Sequence, residues 1–172
     1  MLDANYEYQR LASLNEAEIL DTDPEAVFDN LTRLAADLFD TPISLISLVD
    51  ANRQWFKSTF GIGIRSTSRD VSFCDFAIRS GEVMIVADAA FDDRFKNNPF
   101  VVGEPFIRFY AGAPIRYNGS LIGTMCIIDY RPRYDFCAAD ARRLKLIATA
   151  VSSIIELRKD SLFKVYRDIW LD

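Results

Sequence analysis

Residues 106–128, FIRFYAGAPIRYNGSLIGTMCII, decide the fold. Asn118-Gly119 sits between two apolar, β-rich runs. That is the strongest short-range signal for a two-residue hairpin, because both turn residues must adopt positive φ. It predicts an antiparallel pair, Phe106 to Tyr117 and Leu121 to Ile128. On the first strand Phe109-Tyr110-Ala111-Gly112-Ala113-Pro114 sets two large aromatics beside very small residues. Two readings compete: the small residues leave room for a ligand walled by aromatics, or they let a neighbouring helix pack closely.

Upstream, Ile43 to Val49 reads as a buried strand, and Arg53 to Phe60 returns beside it after the Asp50-Ala51-Asn52 turn. Trp55 and Phe56 alternate faces, so one should meet solvent, a lid or a partner, or else pack under the 61–70 loop. Gly61 and Gly63 open a polar loop through Arg69-Asp70. Ser72 can cap a short helix, Phe73 to Arg79, closed by Gly81. Val83 to Val86 is a brief strand, and Asp88 to Pro105 a long irregular loop of the kind that covers binding sites. Helices should bracket the chain. Leu11 to Leu20 is a short amphipathic stretch. A helix capped by Asp23 shows Val27, Phe28, Leu31, Leu34, Ala35 and Leu38 at helical spacing. The last helix spans about Ala138 to Lys159, with Leu144, Ile147, Ala148, Val151, Ile154, Ile155 and Arg158 on one face. The order implies an α+β domain, with a central antiparallel sheet, terminal helices on one face and loops on the other.

Composition narrows the function. The 172 residues carry 20 Lys and Arg against 25 acids, a formal net charge of −5. The basic cluster Arg131, Arg133, Arg142, Arg143, Lys145 reads as a solvated face, so no nucleic-acid partner is expected. No apolar run approaches the roughly 20 residues that span a bilayer, and nothing resembles an export signal. The expected compartment is the cytoplasm. Histidine is absent, which removes Ser-His-Asp and Cys-His catalysis, His-ligated haem and ordinary zinc sites. Cysteines 74, 126 and 137 have no metal-site spacing, so neither a metal nor a cofactor is expected.

Nine strings carry a family resemblance: Ile19-Leu20-Asp21-Thr22, Phe28-Asp29, the run Pro42 to Asp50, Gln54-Trp55-Phe56-Lys57, Ser72-Phe73-Cys74, Val86-Ala87-Asp88-Ala89, Asp92-Asp93-Arg94-Phe95, Arg108 to Pro114, and Gly123 to Asp129. In this order they resemble the GAF family of sensory domains, in the bacterial form found ahead of diguanylate cyclases and histidine kinases. The resemblance covers residues 8–160 and leaves a C-terminal apolar tail, 161–172. It implies five or six strands, a ligand cavity between sheet and loops, and signalling helices at both ends. Some family features are missing. Asp75 follows Cys74 where bilin-binding members carry histidine, and Phe91-Asp92-Asp93 only faintly echoes the cyclic-nucleotide pattern. Cys126 and Cys137 do not sit where the partners of a free methionine sulfoxide reductase would be expected.

The candidate ligand-binding set is Phe73, Cys74, Asp88, Arg94, Phe95, Arg108 and Tyr110, for a small molecule that the sequence does not name. Several of them have a structural alternative. Asp88 can cap backbone amides, Arg94 can pair with Asp92, and Cys74 between aromatics can be a small buried hydrophobe rather than a redox sensor or tether. Cys126 reads as core. The expected function is a non-enzymatic sensory domain that signals through its terminal helices to a second copy or a separate output protein. Competing with it are a dimerisation module with a vestigial pocket and a thiol-dependent reductase built on Cys74. The last helix and the segment around 11–38 are expected to pair in a homodimer. In the tail, Leu162, Val165, Tyr166 and Ile169 would extend an apolar stripe that packs.

Overall fold

The computed structural model describes residues 3–170, with side chains described through residue 161. Helices α1 (Ala4–Glu16) and α2 (Ala26–Phe39) precede strands β1 (Ile43–Val49), β2 (Arg53–Phe60) and β3 (Ser66–Ser68). Then come α3 (Phe73–Ala77), β4 (Met84–Val86), α4 (Pro99–Val102), β5 (Phe109–Tyr117), β6 (Ser120–Asp129) and α5 (Ala138–Trp170). The six strands form one sheet in the order β3-β2-β1-β6-β5-β4, and every pair is antiparallel. This is the expected α+β architecture.

Alternation along the strands splits the core in two. Ile46, Leu48, Phe109, Ile115, Met125 and Ile127 face the terminal helices and pack with Leu14 of α1, Phe28 and Ala35 of α2, and Leu144, Val151 and Ile155 of α5. Ile43, Leu45, Phe56, Tyr110, Cys126 and Ile128 belong to the opposite cluster, under α3 and the 88–107 segment. The β5–β6 turn is made by Asn118 at φ 47° and Gly119 at φ 77°, as its sequence requires.

Several expectations need correcting. The first helix begins at Asp3, whose carboxylate accepts from the Asn5 amide at 2.8 Å, and it ends at Glu16 instead of spanning 11–20. Asp23 does not cap α2. Glu25 holds that position without a side-chain bond, because its carboxylate is taken by Lys57 and Arg158. The inward face of α2 is Phe28, Thr32, Ala35, Ala36 and Phe39, whereas Val27, Leu34 and Leu38 are 41%, 51% and 49% exposed. A polar anchor accounts for this rotation: the Thr32 hydroxyl lies 2.8 Å from Ser58 Oγ on β2, which donates to Asp29 at 2.5 Å. The polar 61–70 loop contains a sixth strand, β3. Trp55 and Phe56 are both buried, on opposite faces. Arg133 is no solvated charge, since it donates to Asp129 and to the Phe39 carbonyl at the end of α2. The backbone of α5 continues through Trp170; the packing expected of the tail side chains lies outside the described residues.

Candidate functional site

Ser72 starts the site. Its hydroxyl accepts from the Asp75 amide at 3.1 Å and so caps α3, which carries Phe73 and Cys74 over the loop-side face of the sheet. Phe73 stacks on Phe95 with centroids 4.1 Å apart, and its ring lies 5.2 Å from that of Tyr110. Beside this stack is a cavity of about 90 Å³, bounded by Leu45, Phe56, Phe73, Cys74, Tyr110 and Ile128 among others. Ile62, Ile64, Phe100 and Pro105 close it from the loops. The lining is almost wholly apolar; the polar side chains on it include Gln54 and Thr67. Ligand pockets for drug-sized molecules run to roughly 300–1,000 Å³, so this one suits a molecule of only a few heavy atoms.

Of the seven candidate residues, Phe73, Cys74 and Tyr110 meet at the cavity, and Phe95 backs Phe73 from behind. The three charged candidates are engaged elsewhere. Asp88 accepts from the Ala90 amide at 3.1 Å and from the Tyr134 hydroxyl at 3.2 Å. Arg94 forks onto Asp92 at 2.6 and 2.9 Å and lies over the Phe95 ring. Arg108 donates to the carbonyls of Val101 and Ile107 at 2.9 and 3.0 Å, fastening α4 to the start of β5. Asp88 and Arg94 do what their structural alternatives described, and Arg108 is held by neighbouring backbone carbonyls.

Gly112 answers the question its strand posed. A Cβ there would come within 2.1 Å of the Tyr110 hydroxyl. The space is filled neither by a ligand nor by a helix, but by the phenol two residues earlier, lying along its own strand. That phenol donates to Cys74 Sγ at 3.4 Å, and Cys74 Sγ lies 4.0 Å from Cys126 Sγ. Both cysteines are buried. Thr124, two residues before Cys126 and so on the same face of β6, keeps a buried hydroxyl without a hydrogen bond of normal geometry. Burial by itself pushes the Cys74 thiol up, but the surrounding Cys126, Thr124, Tyr110 and Ser47 groups outweigh it and bring the thiol down. Hydrogen bonding with Cys74, together with burial, pushes Cys126 up.

Buried charges tie this site to the chain termini. Arg10 of α1, fully buried, donates to the Val49 carbonyl at 2.6 Å and forks onto Glu7. Glu7 also accepts from Arg69 at 2.6 Å, and Arg69 reaches Asp75 of α3 at 2.8 Å. Burial would raise the Glu7 carboxyl, but the hydrogen bonds and charges of Arg10 and Arg69 hold it at about 2. On the helix side, Lys57, 1% exposed, reaches Thr22, the Asp23 carbonyl and Glu25, while Arg158 of α5 donates to the same Glu25 at 2.8 Å.

Sequence reasoning missed Cys126, Arg10 and Lys57. Counting strictly from the Tyr117–Ser120 pair sets Met125 opposite Gly112. A bulge on β6 at Ile122, opposite the Ile115–Arg116 step of β5, brings Cys126 there instead and turns it to the cavity face. No local pattern announces that bulge. A lysine or arginine in an amphipathic stretch reads as solvated unless its distant partners are known.

The comparisons agree with this geometry. A cyclic di-GMP phosphodiesterase of Pseudomonas aeruginosa is 42% identical over 150 residues, covering 87% of this chain and 26% of that protein. The chain thus spans about a quarter of that relative's length. Among solved structures, free methionine-R-sulfoxide reductase from Neisseria meningitidis, in complex with its substrate, superposes with TM-score 0.67 at 16% identity, over 94% of this chain and 96% of that one. The GAF domain of a phosphoenolpyruvate-protein phosphotransferase from Coxiella burnetii gives 0.66 at 15%, over 93% and 99%. At such identities these structures speak to the fold alone. Residues 23–155 match the family model of the GAF domain. With that match and the six-stranded sheet between helices and loop-roofed cavity, the chain belongs to the GAF domain family.

Proposed function

We propose that this chain is a non-catalytic sensory domain. A compact, mainly apolar small molecule occupies the cavity beneath α3, and helices α1 and α5 carry its effect to a second copy or to an output protein. One observation carries the reading: α3, which walls the cavity, is bound through Asp75, Arg69 and Glu7 to Arg10 of α1. A ligand that displaces α3 must stretch or re-pair that charged network, so the cavity and a terminal helix share one energy. Similarity to a quarter of a cyclic di-GMP phosphodiesterase supports a place beside an output domain. Asp88, Arg94 and Arg108 drop out of the ligand set; Phe73, Cys74 and Tyr110 stay in it.

Native mass spectrometry of protein purified from cells tests this. The expected result is a non-covalent adduct that is lost on denaturation and absent from a cavity-filling Leu45→Phe variant. Bare chain mass in both proteins overturns it.

The thiol-dependent reductase keeps one specific support, the approach of Cys74 to Cys126. Incubation with a small sulfoxide and a dithiol reductant decides it: multiple turnovers establish the reductase, and none removes it.

A further inference from the structure

We infer that Cys74 and Cys126 are a two-electron oxidation site, in which a small neutral hydroperoxide entering by the apolar cavity oxidises Cys74 and Cys126 then closes a disulfide onto it. Three observations support this independently of any resident ligand.

The first is placement. The two sulfurs are 4.0 Å apart, at van der Waals contact, yet they come from α3 and from β6, 52 residues apart in sequence. The second is asymmetry of access. Cys74 borders the cavity, whereas Cys126 lies behind it, fully buried and absent from the lining. A molecule in the cavity meets Cys74 first, and the narrow apolar space admits a small uncharged oxidant more readily than an anion or a bulky one. The third is the polar surround. The Tyr110 hydroxyl donates to Cys74 at 3.4 Å, and the buried Thr124 hydroxyl, which has no hydrogen-bond partner, lies on the same face of β6 as Cys126. Hydroxyl donors favour the thiolate, which is the nucleophile. No cation lies among the groups hydrogen-bonded to the pair, so a neutral disulfide is also the cheaper end state in this low dielectric.

The steps balance. The Cys74 thiolate attacks the peroxide oxygen; the O–O bond breaks, hydroxide leaves and takes a proton to become water, and Cys74 becomes a sulfenic acid. The Cys126 sulfur attacks that sulfur, the S–O bond breaks and a second water leaves. Two thiols and one hydrogen peroxide give one disulfide and two waters. The bridge would tie α3 to a central strand, and α3 carries the Asp75 end of the charged network to α1.

Exposed Cys137 is an internal reference. The reduced chain is treated with hydrogen peroxide, then denatured, alkylated and digested. The expected product retains one alkylatable thiol of three, weighs two hydrogens less, and yields joined Cys74 and Cys126 peptides that a dithiol releases. Cys74 should be consumed at least about tenfold faster than Cys137, as thiolate character dictates. Cys126→Ser should stop at a sulfenic acid on Cys74, trapped by dimedone; Cys74→Ser should leave Cys126 reduced. Equal rates at Cys74 and Cys137, a linkage through Cys137, or undiminished oxidation of Cys74→Ser each overturn the inference. Should either variant fail to fold, the rate ratio and linkage in the unsubstituted chain decide alone. An empty cavity by native mass spectrometry would remove the resident ligand and leave this chemistry standing.

Discussion

At the residue scale, Gly112 and Tyr110 form one unit, because the phenol occupies the volume that any other residue at 112 would fill. Gly112→Ala should force that ring off the strand and into the cavity. Overpacking of this kind costs about 1–3 kcal/mol. In a domain this long that is about 2–4 °C of melting temperature per kcal/mol. Calorimetry checks it, and an unchanged melting temperature would mean the ring moves freely. Glu7 gives a second residue-scale expectation. Its folded carboxyl, held at about 2, lies below its ordinary value of 4.5. A depressed carboxylate contributes stability that is fully present above pH 4.5 and is lost as the pH falls toward 2. Urea midpoints measured between pH 7 and pH 2.5 should therefore fall less steeply below 4.5 in Glu7→Gln, which starts lower at pH 7. Parallel acid limbs would show that the carboxylate does not matter.

At the scale of elements, α5 shows how much one helix is asked to do. Leu144, Ile147, Ala148, Val151 and Ile155 are consumed by the sheet, so the stripe expected to drive dimerisation is already buried in its own domain. Leu146 and Leu157 stay exposed, at 70% and 64%, and the helical backbone runs on to Trp170. Beyond residue 161 the sequence places Leu162, Val165, Tyr166 and Ile169 at i, i+3, i+4 and i+7, an apolar face that water does not favour leaving bare. Deleting 162–172 should lower the melting temperature or dissociate a dimer. If it changes neither, the tail is a docking segment for another protein.

At the scale of the molecule, the homodimer remains our proposal, with its surface revised. Exposed apolar residues now fall on α2 at Val27, Leu34 and Leu38 and on α5 at Leu146 and Leu157. Both helices lie on the face of the sheet away from the cavity. Sedimentation at tens of micromolar should find a dimer, and Leu34→Glu together with Leu146→Glu should yield a folded monomer. A monomeric unsubstituted chain would remove second-copy signalling and leave an output protein as the receiver of the signal.

Alternating apolar patterns, the Asn118-Gly119 turn and the Ser72 cap are local, and local patterns carried the strands, their antiparallel sense, α3 and the two-faced layout. The resemblance to GAF domains rested on strings that the chain itself displays. Phe73, Cys74 and Tyr110 were legible as a group because their elements were. What the sequence could not show is set by contacts distant along the chain. A bulge on β6 turned Cys126 toward Cys74, the Thr32–Ser58 contact rotated α2 so that three of its apolar residues face water, and the Val49 carbonyl and the half-buried Glu25 carboxylate drew in Arg10 and Lys57. Groups close by in sequence, among them the Ala90 amide, the Asp92 carboxylate and the Ile107 carbonyl, engage Asp88, Arg94 and Arg108 away from the cavity. Secondary structure follows from periodicity, which each segment carries in itself. Register, helix rotation and the pairing of buried charges depend on groups up to more than a hundred residues apart, and only the folded chain brings those together.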